Sequence, residues 1–187
     1  MKDATYSFET KTGLTVWLRP MLPTDAAHLV ELFEHLGPES RYQRFQLAAT
    51  APKEELVWRE ARRLAAIDPE KGMGWLAFIA DPEEVDGFVP IGGMRYMMVE
   101  PGLAEASLTV RDDMQRQGIG SRLMIYMLIY ARQQGVERMT AMVQRGNLGM
   151  WRLLDHSPVP FKRAPEGNYT HIELDLRAWQ PEELTIS

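Results

Sequence analysis

The 187-residue chain contains no cysteine. Disulfides, thiolate zinc sites and a covalent thioester intermediate on the protein are therefore excluded. The chain also lacks long apolar runs: stretches such as residues 75–80 extend for only a few positions, so no membrane span is predicted. The N-terminal residues lead into polar sequence without a signal-peptide core, so we expect a cytoplasmic protein.

Positive charge is in deficit, because 21 lysines and arginines face 26 aspartates and glutamates, giving a net charge of −5. A nucleic-acid surface requires clustered positive charge, so no nucleic-acid partner is expected. The histidines form no HExxH or similar pattern, and no metal site is predicted. The remaining composition is that of a globular protein, with 45% hydrophobic and 25% charged residues in a length that suits one domain.

Local patterns predict helices and strands in uneven alternation. Apolar spacings of three and four predict helices over residues 24–36, 52–66, 118–134 and 147–154. Runs rich in β-branched and aromatic residues predict strands at residues 14–19, 75–80, 91–99, 105–110, 139–143, 159–164 and 168–176. Short turns join the three strands between residues 75 and 110, which indicates an antiparallel meander. The order as a whole favours an α/β fold with a mixed sheet.

The segment from residue 105 to residue 120 carries the clearest functional signal. A predicted strand leads into a turn that contains Gly118 and Gly120, and the turn opens an amphipathic helix. The first N–H groups of a helix lack intrahelical partners and, with the helix dipole, attract anions. The glycines allow a diphosphate to approach the backbone, and Arg116 could add a positive charge. The sequence therefore predicts a diphosphate-binding turn.

Three phosphate-binding motifs can be compared with this turn. A P-loop requires Gly-Lys-Ser/Thr, but Ser121 and Arg122 follow the second glycine, which excludes it. A dinucleotide fingerprint requires a third glycine where Leu123 stands, and it opens a βαβ unit, so we disfavour it. Residues 115–120, Gln-Arg-Gln-Gly-Ile-Gly, instead resemble the Q/R-x-x-G-x-G/A pattern of the GCN5-related N-acetyltransferase (GNAT) superfamily.

The resemblance extends over residues 14–176. Residues 40–45, Ser-Arg-Tyr-Gln-Arg-Phe, and the Ala104-Glu105 pair are similar to the acetyltransferase domain of bacterial protein-lysine acetyltransferases. The resemblance implies the GNAT fold, an α/β architecture with a mixed, mostly antiparallel central sheet and flanking helices. Its fourth and fifth strands, here residues 105–110 and 139–143, should splay apart. We predict an N-terminal extension over residues 1–13, a GNAT domain over 14–176 and a loose tail over 177–187.

The resemblance also implies a cosubstrate, an acceptor and a set of binding residues. Acetyl-CoA would donate its acetyl group, without a metal, to a primary amine of a small molecule or a protein lysine. The implied CoA-binding residues are Leu108, Thr109, Val110, Gln115, Arg116, Gln117, Gly118, Ile119, Gly120, Ser121 and Asn147. Asn147 matches the family's N-x-x-A/M-x-x-L pattern with Met150 and Leu153, and a helix N-cap is the equally weighted alternative.

Glu105 is the predicted catalytic residue. On a strand it shares one face with Ser107 and Thr109. A lysine-type amine has a pKa near 10.4 and is mostly protonated at neutral pH, so a general base helps the reaction. The resemblance implies that Glu105 is this base, acting directly or through water, while an ion-paired or rim glutamate is the alternative. Without a cysteine, transfer would be direct, in a ternary complex.

One departure from the family pattern leaves the activity open. Many members place a tyrosine, the general acid for the thiolate, where this chain has Leu154; Tyr126, Tyr169 and His156 are the alternatives. The missing tyrosine motivates a rival hypothesis, an acyl-CoA-sensing or partner-binding domain with little catalysis. We expect the acceptor near the first helices and residues 41–46, with specificity in the loops 37–52 and 81–90. The paired C-terminal strands are compatible with a homodimer.

Overall fold

The computed structural model describes residues 1, 3–45, 52–84 and 87–180. The elements, in chain order, are β1 (Tyr6–Glu9), β2 (Thr15–Pro20), α1 (Ala26–Glu34), α2 (Pro38–Phe45), α3 (Glu54–Ala65), β3 (Gly72–Ala80), β4 (Phe88–Glu100), β5 (Leu103–Val110), a 3-10 turn (Asp112–Met114), α4 (Ile119–Gln133), β6 (Arg138–Gln144), α5 (Leu148–Asp155), β7 (Phe161–Glu166) and β8 (Tyr169–Asp175).

Within the described residues, the strands form one eight-stranded sheet in the order β1-β2-β3-β4-β5-β6-β8-β7. Neighbouring strands are antiparallel except for β5 and β6, which are parallel. The predicted α/β fold with a mixed, mostly antiparallel sheet is therefore confirmed. The predicted meander is confirmed as well, because β3, β4 and β5 pair in sequence.

The sheet separates two apolar layers. Helix α4 buries Leu123, Met127 and Leu128 in the main core, which the sheet completes with residues such as Trp75 and Ala104. A smaller cluster joins α1 to α3 through Ala26, Val30 and Ala61, and α1 also contacts β4. The helices thus leave β4 and β5 covered by α4 on one face and flanked by α1 and α3 on the other.

The parallel pairing of β5 with β6 is short. Residues 103–105 pair with residues 138–140, and the pairing ends at Glu105 and Thr140. Strand β5 nevertheless continues to Val110 and β6 continues to Gln144. The two strands therefore diverge toward their C-terminal ends, which confirms the predicted splay and opens a gap in the sheet.

Two elements lie where none was predicted. Strand β1 falls inside residues 1–13, the predicted extension, and pairs with β2. Helix α2 follows Gly37 directly, although the Gly37-Pro38 pair was expected to begin a loop; proline at the first helical position is favourable because its missing N–H is not needed there. In the predicted tail, Trp179 packs against the core and residues 181–187 lie outside the described part.

A buried ion pair fixes the chain between β2 and α1. Arg19 donates two hydrogen bonds to Asp25, 2.6 and 2.8 Å long, and both residues are almost inaccessible to solvent. Burial alone would raise the pKa of Asp25, but hydrogen bonds from Arg19, His28 and the Leu22 amide lower it below the usual value. Asp25 precedes the first helical residue, so this pair sets where α1 starts against the sheet.

None of the helices in the described residues is both long and apolar enough to cross a membrane.

Candidate active site

The bend between β5 and α4 presents main-chain donors. Arg116 and Gly118 both have left-handed backbone conformations, with φ of 63° and 87°. The first α-helical hydrogen bond runs from the Arg122 amide to the Gly118 carbonyl over 3.2 Å, so the amides of residues 119–121 precede the helical ladder. In the part of the chain that the structure describes, the amides of residues 116–121 have no acceptor. This is the geometry of an anion site at a helix start.

Gly120 connects this bend to the gap in the sheet. A Cβ atom at Gly120 would lie 3.9 Å from side-chain atoms of Leu108, Val110 and Leu153. Leu108 and Val110 belong to β5 beyond its pairing with β6, and Leu153 belongs to α5. The backbone of the bend therefore faces the space between β5 and α5, so that one extended ligand could contact the bend and the open strand edge together.

The side chains of the bend hold it in place. Gln115 donates hydrogen bonds to the Val110 carbonyl (3.2 Å) and to Asp112 Oδ1 (3.0 Å), which ties the bend to the end of β5. Gln117 Oε1 accepts a hydrogen bond from the Thr12 hydroxyl over 2.7 Å. Arg116 and Ser121 are exposed and Ile119 is buried in the core. Of the predicted loop residues, the two glutamines thus act as supports.

The turn between β1 and β2 brings a further cation to the bend. The Lys11 amide donates to the Gln117 carbonyl (3.3 Å), and Lys11 Cε lies 3.9 Å from the position of a Cβ on Gly118. Lys11 was not among the predicted site residues, because residues 1–13 were predicted to be an extension. Only the pairing of β1 with β2 brings this residue to the bend, and no local pattern could have indicated it.

The open edge of β5 offers alternate main-chain groups. The Arg111 amide donates to the Ile91 carbonyl on β4 over 2.9 Å. The main-chain N–H and C=O groups of successive strand residues point to opposite sides of the strand. The main-chain groups of Ser107 and Thr109 therefore also point to β4. The main-chain groups of Ala106 and Leu108 point to the gap. Of the three predicted strand residues, Leu108 therefore offers its backbone to the gap, while Gln115 already occupies the Val110 carbonyl.

Glu105 lies at the point where the gap begins. It is the last residue of β5 that pairs with β6, opposite Thr140, and on its other side it pairs with Met97 of β4. Its side chain is exposed. The predicted face-sharing with Ser107 and Thr109 follows from the unbroken strand. The carboxylate is therefore accessible to solvent near the closed end of the gap.

A cleft of about 480 Å³ lies on that same face of β5. Its walls are apolar side chains of α1 and α3, which include Leu29, Leu32, Phe33, Leu56 and Leu64. Its polar groups are Arg59, Glu60 and Arg63 of α3, Arg95 of β4, and Ser107 and Thr109 of β5. Burial and the nearby charge of Arg63 lower the pKa of Arg95 from its usual value. Arg95 was not among the predicted site residues, although it is the one charge in the interior of β4, whose other charged residue is the terminal Glu100.

The Ser-Arg-Tyr-Gln-Arg-Phe segment supports the site from beside it. Arg41 donates to the carbonyls of Phe33 (3.1 Å) and Glu34 (2.8 Å), so it satisfies the end of α1. The Ser40 hydroxyl donates to Asp112 Oδ1 over 2.5 Å, which links α2 to the bend. Asp112 therefore holds two elements together. The Arg44 side chain and residues 46–51 lie outside the described part, as do residues 85 and 86 of the second predicted specificity loop.

Asn147 caps helix α5. Its Oδ1 atom accepts a hydrogen bond from the Met150 amide over 2.9 Å. The N-cap interpretation of Asn147 is thus confirmed, and a contact with CoA remains a prediction.

The residues considered as substitutes for the missing tyrosine differ in their surroundings. Tyr126 is buried against Tyr6 and Trp75 in the core. His156 is exposed at the end of α5, with its Nδ1 atom 2.7 Å from the Arg152 carbonyl oxygen. Tyr169 lines a separate cavity of about 230 Å³ at the end of β6. Burial removes Tyr126 from consideration, and neither of the others lines the cleft beside Glu105.

Comparison with known proteins adds three similarities. The family model described as "Acetyltransferase (GNAT) family" matches residues 27–156. The Acetyltransferase Pat of Mycolicibacterium smegmatis is 30% identical over 154 residues, which cover 79% of this chain and 42% of that protein. The L-methionine sulfoximine/L-methionine sulfone acetyltransferase of Pseudomonas aeruginosa is 32% identical over 108 residues, covering 52% of this chain and 63% of that protein. The chain thus spans less than two thirds of the length of either relative.

A solved structure is similar over nearly all of both chains. The GNAT domain of S. lividans PAT superposes with a TM-score of 0.75 at 25% sequence identity, covering 91% of this chain and 96% of that one.

Proposed function

Because the chain belongs to the GNAT acetyltransferase family, we propose that it transfers the acetyl group of acetyl-CoA to a primary amine, directly and in a ternary complex. The observation that carries this proposal is the divergence of β5 from β6 beside a bend whose amides, at residues 116–121, have no acceptor among the described residues. Such a channel, with anion donors at one end and a carboxylate at the other, suits a long phosphorylated thioester carrier.

The carrier would lie along the gap. Its diphosphate would accept hydrogen bonds from the amides of residues 119–121, and Arg116 and Lys11 would add positive charge. Its pantetheine arm would pair with the main chain of Leu108 and Ala106 as an added strand. This arrangement would place the thioester near the point where the gap closes at Glu105.

The chemistry requires a neutral amine. Glu105 would take a proton from the ammonium group, directly or through a water molecule, so that the amine nitrogen can attack the thioester carbonyl. The C–N bond forms, the C–S bond breaks, and the CoA thiolate leaves and takes up a proton. A main-chain amide at the open edge of β5 would donate to the carbonyl oxygen as negative charge develops there. No acyl-enzyme is needed, because the chain has no cysteine nucleophile.

The acceptor would approach from the opposite face, through the cleft beside α1 and α3. The name of one relative states that it acts on L-methionine sulfoximine and L-methionine sulfone, which supports a small-molecule amine as one of the two acceptor classes.

A second candidate function is an acyl-CoA-binding domain with little catalysis, which Leu154 in the position of the family tyrosine favours. Titration calorimetry with acetyl-CoA, followed by a thiol-release assay over an amine panel, separates the two. The transferase predicts acceptor-dependent thiol release. Tight binding without such release would support the sensor, and absence of binding would refute both.

A further inference from the structure

The cleft on the Glu105 face of β5 contains a cation that has no hydrogen-bonded partner among the described residues. Arg95 is half-buried and, among the described residues, forms no hydrogen bond and no ion pair. Arg63, across the cleft on α3, differs because Glu60 accepts two hydrogen bonds from it, 2.8 and 2.6 Å long. The positive charge of Arg95 therefore faces the cleft without a direct counter-ion.

The surroundings of Arg95 favour a bound anion. Burial and the nearby positive charge of Arg63 disfavour the charged guanidinium and outweigh the more distant carboxylates of Glu60 and Glu105, so the pKa of Arg95 is lowered. An anion in the cleft would relieve both effects. The planar fork of a guanidinium matches a carboxylate through two parallel hydrogen bonds, which gives orientation as well as attraction.

The rest of the cleft suits a small apolar group. Leu29, Leu32 and Phe33 of α1 face Leu56 and Leu64 of α3 across the cleft. Its volume of about 480 Å³ lies within the range of small-molecule sites. A compact molecule with an apolar substituent would fill the space between the two helices.

Register places Arg95 and Glu105 within reach of one small molecule. Arg95 pairs with Ser107, and Glu105 pairs with Met97, so Arg95 and Glu105 are diagonal neighbours on adjacent strands. Such positions are about 7–8 Å apart at their Cα atoms. Their long side chains can close around a carboxylate and an amine carried on the same carbon atom.

We propose that the acceptor is an apolar α-amino acid, whose carboxylate binds Arg95 while its side chain lies between α1 and α3 and its amine meets Glu105. The inference rests on the proposed transferase function and names its acceptor class. The products are an N-acetyl amino acid and CoA. A lysine side chain within a polypeptide carries no carboxylate at this distance from its amine, so the inference favours a small molecule over a protein.

The test compares each amino acid with its own amide. The amides of L-leucine, L-methionine and L-phenylalanine match the acids in shape but lack the negative charge. Their amines are less basic, with a pKa near 8, so more of the amide is neutral and chemistry alone favours it. With saturating acetyl-CoA we nevertheless expect kcat/KM to be about 10- to 100-fold higher for at least one of the acids, the usual effect of hydrogen bonds to a charged group.

Variants of the cleft assign this preference to Arg95. Arg95→Gln should lower kcat/KM for the acid by a similar factor and bring the acid-to-amide ratio to one or below. Arg95→Lys should keep part of the preference, because the charge stays and the fork is lost. Arg62→Gln is the matched control: Arg62 lies on α3 against the Trp58 ring and does not line the cleft, so the ratio should stay at the wild-type value.

The outcomes separate this inference from the function beneath it. Equal or faster turnover of every amide, or a ratio that Arg95→Gln leaves unchanged, refutes the amino-acid acceptor. Turnover confined to lysine in peptides, supplied as a separate arm, refutes it as well. If acetyl-CoA supports thiol release with no amine at all, the transferase proposal itself fails.

Discussion

Replacing Gly118 by alanine tests whether the bend before α4 must keep its left-handed shape. Gly118 has φ of 87°, a region in which an L-residue pays about 1–2 kcal/mol. In a domain of this size each kcal/mol shifts the melting temperature by about 2–4 °C. We therefore expect Gly118→Ala to melt about 2–8 °C below the wild type, as measured by thermal denaturation without ligand.

The same substitution should weaken carrier binding. The bend can release its strain by rotating peptide groups, which would turn the amides of residues 119–121 away from a bound diphosphate. Losing one hydrogen bond to a charged group costs about 1.5–3 kcal/mol, which corresponds to an increase of about 10- to 160-fold in Kd. Titration calorimetry with CoA measures this change directly.

Gly120→Ala is the matched control. Gly120 does not have a left-handed conformation, and the nearest atoms to an added Cβ lie 3.9 Å away, at ordinary contact distance. Alanine is also a better helix former than glycine by about 1 kcal/mol. We expect unchanged or slightly higher stability, so Gly120→Ala serves as the control for the melting temperature. If Gly118→Ala instead matched the wild type in both melting temperature and Kd, the bend's conformation would have no role in binding.

Three further predictions concern the base, the anion site and the fold. Glu105→Gln should lower kcat about 100-fold or more in the thiol-release assay while the Kd for acetyl-CoA stays constant; turnover within a few-fold of the wild type would remove Glu105 from the mechanism. Lys11→Gln should raise the Kd for CoA about 2- to 5-fold at low ionic strength, as for an exposed charge pair, and the difference should vanish in high salt; a salt-independent difference would contradict this. Asp25→Asn leaves Arg19 buried without a counter-charge and should lower the free energy of unfolding by about 3–5 kcal/mol in urea titrations at pH 7. Hydrogen bonding lowers the pKa of Asp25 in the folded protein, so the ionised carboxylate contributes its full stabilisation above the usual carboxyl pKa of 3.8 and loses it as the pH falls further. The difference in unfolding free energy between Asp25→Asn and the wild type should therefore become smaller in acid.

Elements with a strong internal period could be predicted from the sequence. Helix α4 was expected over residues 118–134 and spans Ile119–Gln133, because its apolar stripe belongs to the helix alone. Strand β1 and helix α2 lack such a signal. The four residues of β1 gain their order from pairing with β2, and polar α2 is held by contacts such as Ser40 to Asp112. Elements that depend on distant partners leave little trace in their own residues.

The residues of the site also differ in whether a local pattern or a distant contact places them. The glycines of the bend could be found because a main-chain anion site requires a local pattern of small residues before a helix. Lys11 and Arg95 could not, since each reaches its place through strand pairing and helix packing far along the chain. The role of Asp112 was likewise hidden, because an aspartate after a strand does not indicate that it will join a helix 72 residues earlier.

Under the proposed function, strand β5 would contact both substrates, the carrier through its main chain and the acceptor through its side chains. Its side chains alternate, so Ser107 and Thr109 line the cleft and Glu105 lies on the same face of the strand, while Leu108 packs toward α4. Its main chain alternates independently, in the plane of the sheet, so that Leu108 offers its backbone to the gap. The carrier would thus bind the main chain at the open edge of β5, and the acceptor would bind side chains on one face of the sheet. Under the proposed function the two directions would meet near Glu105, where the pairing with β6 ends, and the amine would lose its proton there as it attacks the thioester carbonyl.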